Sequence, residues 1–268
     1  MSDRGLGWYV YCVIPARERD HVDGAAGVDP AHAVQLVDHR ELCAVVSRVP
    51  LDEFGSEGLE RNLEDLAWLK RTALAHNAVL ARARDADAVI PFRTCTIFDT
   101  PARVATMLAD ERTYFLAQLA RLRRRDEWAV KLFADRERLP TSAPGHGAAG
   151  SEPDAETTPG RAFIARKKLD RDLRHEALAN ARDAARKAHV DLCAHAAASV
   201  LLPPQHSRVS GRSGDMILNG AYLVERDAAA EFATAVNALR RRESPNGFML
   251  ELSGPFAPYN FVTPREAG

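Results

Sequence analysis

The sequence has no long hydrophobic run, and its charges nearly cancel. The apolar run at Trp8–Ile14 is shorter than a signal peptide's apolar region with its cleavage site, and no stretch approaches the length of a membrane span. Lysine plus arginine (36) against aspartate plus glutamate (37) leaves a formal net charge of -1. A nucleic acid or an anionic membrane as main partner usually requires a basic excess. We therefore expect a soluble protein whose partners include neither nucleic acid nor a lipid membrane.

Cysteine is also scarce and scattered. The four cysteines, Cys12, Cys43, Cys95 and Cys193, each lie among apolar or small residues. Small thiols in such surroundings are usually buried in the core. Without a recognisable secretory signal, unpaired thiols indicate a reducing compartment, so we expect a cytoplasmic protein.

Motifs that carry catalysis or bind cofactors are missing. Gly211–Gly214 has neither the spacing nor the following helix of a phosphate-binding loop, and no serine or cysteine lies in a nucleophile motif. His189 and Cys193 share one face of a predicted helix, but His195 points away and a zinc site needs two further ligands. The sequence thus predicts no enzyme, no catalytic residue, no cofactor and no metal.

The first half of the chain predicts a mixed domain over residues 1–125. Aromatic and β-branched residues indicate three strands, Trp8–Ile14, Val34–Val37 and Leu42–Val49. From Leu59 onward, apolar residues recur at steps of three and four, which predicts a helix with Leu63 and Leu66 on its inward face. Thr100 as N-cap and Pro101 at the first helical position begin a further helix that reaches Arg125, with a break near Asp110.

The second half predicts a different organisation over residues 126–253. Strands are expected at 127–134, 205–209, 216–224 and 248–252, with helices at 169–200, where Pro203 follows, and from Asp227 as N-cap to Arg242. The turn at Ser210–Gly214 would join the two middle strands. This order is the β-α-β-β-α-β motif of ferredoxin-like domains. Residues 141–160 contain no aliphatic side chain larger than alanine, so we expect a mobile insert there.

Three features suggest specific contacts. Arg93 is bracketed by apolar residues within Val89–Phe98, so we expect it to be partly buried and to organise a polar contact. His76 neighbours the apolar stripe of its helix and is expected to hydrogen-bond the adjacent strand. The segment 254–268 brings aromatic residues and prolines after the last strand, and we expect this tail to dock on its own protein or on a partner.

The same segments resemble the gas vesicle protein GvpF/GvpL family. The tail Gly254–Phe261 is similar to the family's Gly-Pro-Trp-Pro-Pro-Tyr-Ser-Phe, although Phe256 and Ala257 replace Trp and Pro. Pro91–Thr96 is similar to Pro-Leu-Arg-Phe-Gly-Thr and follows a helix with a matching histidine. The segments Tyr9–Tyr11, Glu127–Lys131 and Asn219–Val224 also fit. The residues that the resemblance and the patterns single out as structural or partner contacts are His76, Pro91, Arg93, Trp128, Tyr222, Gly254, Pro255, Tyr259 and Phe261.

This resemblance implies an α+β protein with an N-terminal α+β domain, a ferredoxin-like domain and the C-terminal aromatic and proline tail. It also implies a non-catalytic accessory protein, located in the cytoplasm and at the gas vesicle. Such a protein would bind the hydrophobic shell protein or other accessory proteins during vesicle nucleation and growth. It would act transiently or remain as a minor vesicle component, and the F and L subtypes stay open.

An alternative is a ferredoxin-like enzyme or small-ligand-binding protein, because that fold hosts many functions. It would need a deep polar pocket near His76 and Arg93. A broad, shallow apolar groove near Tyr259 and Phe261 would instead favour protein binding.

Overall fold

The computed structural model describes residues 5–22, 24–135, 159–205 and 214–262. The chain forms two compact units: Met1–Glu127 together with Gly254–Gly268, and Trp128–Ser253. The second unit is therefore inserted into the first along the sequence. Each unit contains helices and one antiparallel sheet, so the α+β class is confirmed.

The first unit is organised around a sheet in the order β2-β3-β1-β4, with β5 also paired to β1. Its strands are β1 (Leu6–Pro15), β2 (Val34–His39), β3 (Leu42–Pro50), β4 (Ile90–Pro91) and β5 (Ile97–Phe98). The central strand β1 is fully buried from Tyr9 to Ile14. Because both of its faces are covered, its sequence is continuously apolar and aromatic instead of alternating. The three predicted strands are confirmed, each slightly longer than expected.

Among the described residues of the first unit, five α-helices accompany this sheet: α1 (Leu51–Phe54), α2 (Ser56–Asn62), α3 (Leu66–Ala83), α4 (Pro101–Asp110) and α5 (Arg112–Leu122). The predicted start of α4 is confirmed, since the Thr100 side chain accepts from the Arg103 N–H and Pro101 occupies the first turn. The expected break also occurs, at Glu111.

The inward positions expected of Leu63 and Leu66 are wrong. Their exposed fractions are 55% and 80%. The expected single helix is divided, because α2 ends before Leu63 and a new helix starts at Leu66. The Asp65 side chain accepts from the backbone N–H groups of Ala67 and Trp68 and so caps α3. This second start shifts the helical phase, so Leu63 and Leu66 face solvent, whereas Leu69 and Leu80 farther along the predicted stripe still pack against the core.

The second unit contains the predicted β-α-β-β-α-β order. Its elements are β6 (Arg125–Ala134), α6 (Pro159–Cys193), β7 (Ala198–Leu201), β8 (Asp215–Glu225), α7 (Ala229–Glu243) and β9 (Phe248–Phe256). The sheet order is β7-β8-β6-β9. The two middle strands of the motif, β7 and β8, pair antiparallel. Its core includes Leu132, Tyr222 and Phe232, each nearly or fully buried.

Several boundaries in this unit differ from expectation. Helix α6 ends at Cys193, and residues predicted to continue it form β7 instead. Pairing with β8, for example Ser199 opposite Tyr222, overrides the helical propensity of the alanines. Of the strand expected at 205–209, residues 206–209 lie outside the described residues. The expected turn at Ser210–Gly214 also lies outside them, apart from Gly214.

Two further expectations concern the start of α7 and the insert at residues 141–160. Asp227 is not the N-cap of α7, because it lies in a 3-10 turn, Arg226–Ala228, and α7 follows without a side-chain cap. Of the insert expected at 141–160, residues 141–158 lie outside the described part. Pro159 and Gly160 already belong to α6, which agrees with the preference for proline in a first turn. Among the described residues, no helix has the length and apolar composition that a membrane crossing requires.

Candidate functional site

His76 joins three parts of the first unit through its imidazole. It lies on α3 and is 1% exposed. Its Nδ1 is 2.9 Å from the phenolic oxygen of Tyr9 on β1, which confirms the expected hydrogen bond to an adjacent strand. Its Nε2 is 2.6 Å from the phenolic oxygen of Tyr259 in the tail. One buried side chain thus holds the tail against the helix and the central strand.

The protonation states in this cluster follow from burial. Burial lowers the pKa of His76 to about 4, and a hydrogen bond with the backbone of Phe92 opposes this shift. Burial raises the pKa of both Tyr9 and Tyr259. All three groups are therefore neutral near pH 7. A neutral imidazole has one donor and one acceptor nitrogen, so one tyrosine hydroxyl donates to His76 and the other accepts.

The residues after Tyr259 are fixed by further contacts. Glu127 accepts hydrogen bonds from the backbone N–H (2.8 Å) and the side-chain amide (2.6 Å) of Asn260. Burial raises the pKa of Glu127, against the effect of these two bonds. Arg121 donates to the carbonyl of Phe261, whose side chain is 4% exposed. The tail therefore docks on its own protein, in the first unit.

An open cleft of ≈ 520 Å³ lies beside this tail. Residues of β4 and the loop after it, of α5 and of the tail line it: Ile90, Pro91, Phe92, Arg93, Thr96, Tyr114, Phe115, Tyr259, Asn260 and Val262. Most of these side chains are apolar or aromatic, and Arg93 adds a positive charge. The cleft thus combines aromatic and apolar side chains with polar groups and one positive charge, a mixture that suits binding of a protein segment.

The expectation that Arg93 is partly buried is wrong. Its side chain is exposed. The carbonyl of Arg93 accepts from the backbone N–H (3.3 Å) and the hydroxyl (2.7 Å) of Thr96, which closes a turn directly after β4. Because the chain leaves the sheet at this turn, Arg93 does not continue the buried strand.

His76 and Arg93 do not form the polar pocket that the enzyme alternative requires. His76 is enclosed between two tyrosines and does not line the cleft, whereas Arg93 lies open at the cleft. The observed cleft lies beside Tyr259, near the place where the binding hypothesis expects a groove, but Phe261 does not line it and polar groups make up much of its surface. Within the described part of the chain, no three His, Cys, Asp or Glu side chains come together as a metal ion would require.

The remaining predicted contact residues are divided between the units. Pro91 is buried opposite Cys12 in the first sheet. Trp128 and Tyr222 belong to the second unit, where each contacts the ring of Phe232. Gly254 and Pro255 are exposed in β9, and Gly254 adopts a φ of 126° that favours glycine. The predicted residues therefore belong to both units.

Sequence reasoning did not assign roles to several residues that build the site. Tyr9 and Glu127 lie in segments that fitted the family resemblance, but their partners come from distant parts of the chain. Asn260 and Tyr114 carried no local signal of their own. Only the fold brings these side chains to the tail and the cleft.

Comparison with known proteins identifies the family. The sequence profile described as "Gas vesicle synthesis protein GvpL/GvpF" matches residues 7–263. The chain belongs to the GvpL/GvpF family. It is 32% identical over 257 residues to Gas vesicle protein L of Streptomyces sp. (strain CB03234), covering 95% of this chain and 92% of the relative. Gas vesicle protein F of the same strain is 26% identical over 264 residues, covering 96% and 100% of the two chains.

Solved structures of GvpF share the fold. The crystal structure of GvpF from Anabaena sp. PCC7120 has a TM-score of 0.66 at 18% identity, covering 98% of both chains. That of GvpF from Microcystis aeruginosa has a TM-score of 0.67 at 19% identity, covering 96% of this chain and 99% of the other. Family membership supports a role related to the gas vesicle.

Proposed function

We propose that this GvpL/GvpF-family protein is a non-catalytic assembly factor that binds the hydrophobic shell protein in the cytoplasm during gas-vesicle nucleation and growth. The observation that carries the proposal is the open cleft between β4, α5 and the tail, which presents aromatic and apolar side chains together with polar groups. An apolar shell subunit aggregates unless its surface is covered before assembly. The apolar and aromatic side chains of a preformed cleft would supply such cover.

Arg93 gives this cleft a means of selecting a segment. Its guanidinium forms no ion pair with any residue in the described ranges. A carboxylate on the bound segment would complete the pair, while Tyr114 and Val262 would contact apolar side chains. Arginine is well suited to this role because its planar group binds carboxylates in a fixed geometry.

Co-purification of the full-length protein with each product of a gas-vesicle gene cluster, at moderate and at high salt, tests the proposal. We expect capture of the shell protein to persist at high salt, because apolar burial is not screened. If only other accessory proteins are captured, the cleft binds a different partner, and the proposal that it binds the shell protein is wrong. Capture of none would contradict the assembly role.

Variants locate the interface. Val262→Asp replaces an apolar side chain of the cleft by a charge and should weaken capture roughly tenfold or more. Arg93→Glu should weaken capture mainly at moderate salt, where charge repulsion is less screened. The matched control is Arg103→Glu, which changes an exposed arginine on α4 that pairs with Asp99 and does not line the cleft. Equal loss in all three variants would contradict binding at the cleft.

A further inference from the structure

A cysteine, a histidine, a serine and a tyrosine meet in the second unit, outside the cleft described above. The Cys193 sulfur lies 3.5 Å from Nε2 of His189 and 3.2 Å from the hydroxyl oxygen of Ser199. Nδ1 of the same imidazole lies 3.0 Å from the phenolic oxygen of Tyr222. The sulfur also lies 3.8 Å from Nδ1, so both nitrogens of the ring are within reach of the thiol.

Local structure explains why these four residues meet. His189 and Cys193 are four positions apart near the end of α6, so they share one helical face. Ser199 and Tyr222 are directly opposite each other in the β7–β8 pair. Helix α6 packs on β8, which brings the helical pair against the strand pair.

The four side chains are arranged like those of an activated nucleophile, with a base beside the thiol and a third group that orients the base. A thiol must lose its proton to react, and an adjacent imidazole can accept that proton. Tyr222 is fully buried, and burial raises the pKa of its phenol, so its oxygen stays neutral and can accept a hydrogen bond from Nδ1–H. Nε2 is then left as the acceptor for the thiol proton. The Ser199 hydroxyl can donate to the sulfur once it is charged.

The other three cysteines have different surroundings. Cys12 and Cys43 are 0% exposed, and burial raises the pKa of the Cys12 thiol well above its ordinary value. Cys95 is partly exposed, as Cys193 is, and burial raises the pKa of the Cys95 thiol. Its backbone N–H donates to the phenolic oxygen of Tyr9. Cys95 therefore serves as an internal reference: it is a partly exposed thiol whose sulfur has no histidine contact among the described residues.

We propose that Cys193 is a thiol-modification site that reacts with low-molecular-weight disulfides. The Cys193 thiol transfers its proton to Nε2 of His189, and the thiolate attacks one sulfur of the disulfide. The S–S bond of the reagent breaks as the new bond to Cys193 forms. The leaving thiolate takes the proton from His189. Cys193 is thereby oxidised to a mixed disulfide, and half of the reagent is reduced to a thiol.

The reaction of full-length protein with oxidised glutathione, followed by mass spectrometry of peptides at short times, tests this proposal. We expect Cys193 to acquire glutathione before Cys95. His189→Asn keeps an amide near the position of Nδ1, beside Tyr222, and removes the group that faces the sulfur. This variant should slow modification of Cys193 by roughly tenfold or more and leave the rate at Cys95 unchanged.

Two further measurements keep the test decisive if His189→Asn destabilises the fold. Ser199→Ala removes only a hydroxyl and should slow Cys193 severalfold. Alkylation by iodoacetamide should show the same order of Cys193 before Cys95, because it also requires the thiolate. Faster reaction of Cys95 than of Cys193, or unchanged Cys193 rates in both folded variants, would overturn the proposal.

Discussion

Nε2 of His76 and the phenolic oxygen of Tyr259 are 2.6 Å apart although the residues are separated by 183 positions in the sequence. The contact joins the buried side chain of His76 on α3 to the tail that forms one wall of the cleft. The shape of the proposed binding surface therefore depends on a hydrogen bond that lies beneath it.

Replacing Tyr259 by Phe should destabilise the protein by about 1–2 kcal/mol. The change keeps the ring but leaves Nε2 of His76 without its phenolic partner in a buried position. Urea denaturation measures the free energy of unfolding. In a double-mutant cycle with His76→Gln, the two changes should cost less together than the sum of their separate effects. Additive costs would show that the two side chains are not coupled.

Deleting residues 254–268 should lower the melting temperature by several degrees. The deletion removes the buried side chain of Phe261, worth roughly 1.5–3 kcal/mol, and the hydrogen bonds to His76 and Glu127. A shorter deletion that begins at Thr263 retains these contacts and is the matched control. If the longer deletion leaves the melting curve unchanged but abolishes capture of the shell protein, the tail is an interface and not a structural element.

Acidification should remove the stability that His76 contributes. Its folded pKa of about 4 lies below its ordinary value of 6.5, so the unfolded chain binds a proton over this range while the folded protein does not. The contribution of His76 to the free energy of unfolding is fully present above about pH 6.5, and it falls by at most roughly 3 kcal/mol as the pH approaches about 4.

The burial-raised pKa of Glu127 has the opposite sign, because the folded protein binds that proton more readily and gains stability as the pH falls. The informative measurement is therefore the difference in unfolding free energy between wild type and His76→Gln across this pH range, in which Glu127 is common to both proteins. A difference independent of pH would contradict the assigned pKa of His76.

Replacing Arg84 by Met should cost roughly 2–4 kcal/mol. Arg84 donates two hydrogen bonds, of 3.1 and 2.9 Å, to the buried carboxylate of Asp126 at the start of β6. Removal of the guanidinium leaves that carboxylate without its bidentate partner. Chemical denaturation should show that the double variant Arg84→Met/Asp126→Leu is less destabilised than Arg84→Met alone. A double variant with a lower free energy of unfolding than Arg84→Met would contradict this explanation.

Much of the fold could be predicted because local patterns specified it. The continuous apolar run of β1 and the Thr100–Pro101 start of α4 agreed with the tertiary structure. Local patterns failed where pairing or a new cap overrode them, as at Ser199 in β7 and at Asp65 before α3. Alanine-rich sequence before a strand carries no stop signal, so the end of α6 at Cys193 could not be predicted.

The candidate site was predictable only in part. His76 and Tyr259 were singled out separately, yet nothing in either segment indicated that they bond each other. The exposure of Arg93 depends on the turn that Thr96 closes, whereas the apolar neighbours of Arg93 in the sequence predicted that it is partly buried. The partners of Glu127 and Cys193 come from other elements, so their roles follow from topology and not from spacing.

The insertion of the second unit into the first has a consequence for synthesis. A ribosome makes residues 5–127 before the whole second unit, and residues 254–262 only after it. During that interval His76 and Glu127 lack Tyr259 and Asn260, and the tail wall of the cleft does not exist. The cleft is therefore completed only after translation has passed the second unit, so a nascent chain cannot engage a partner through this wall.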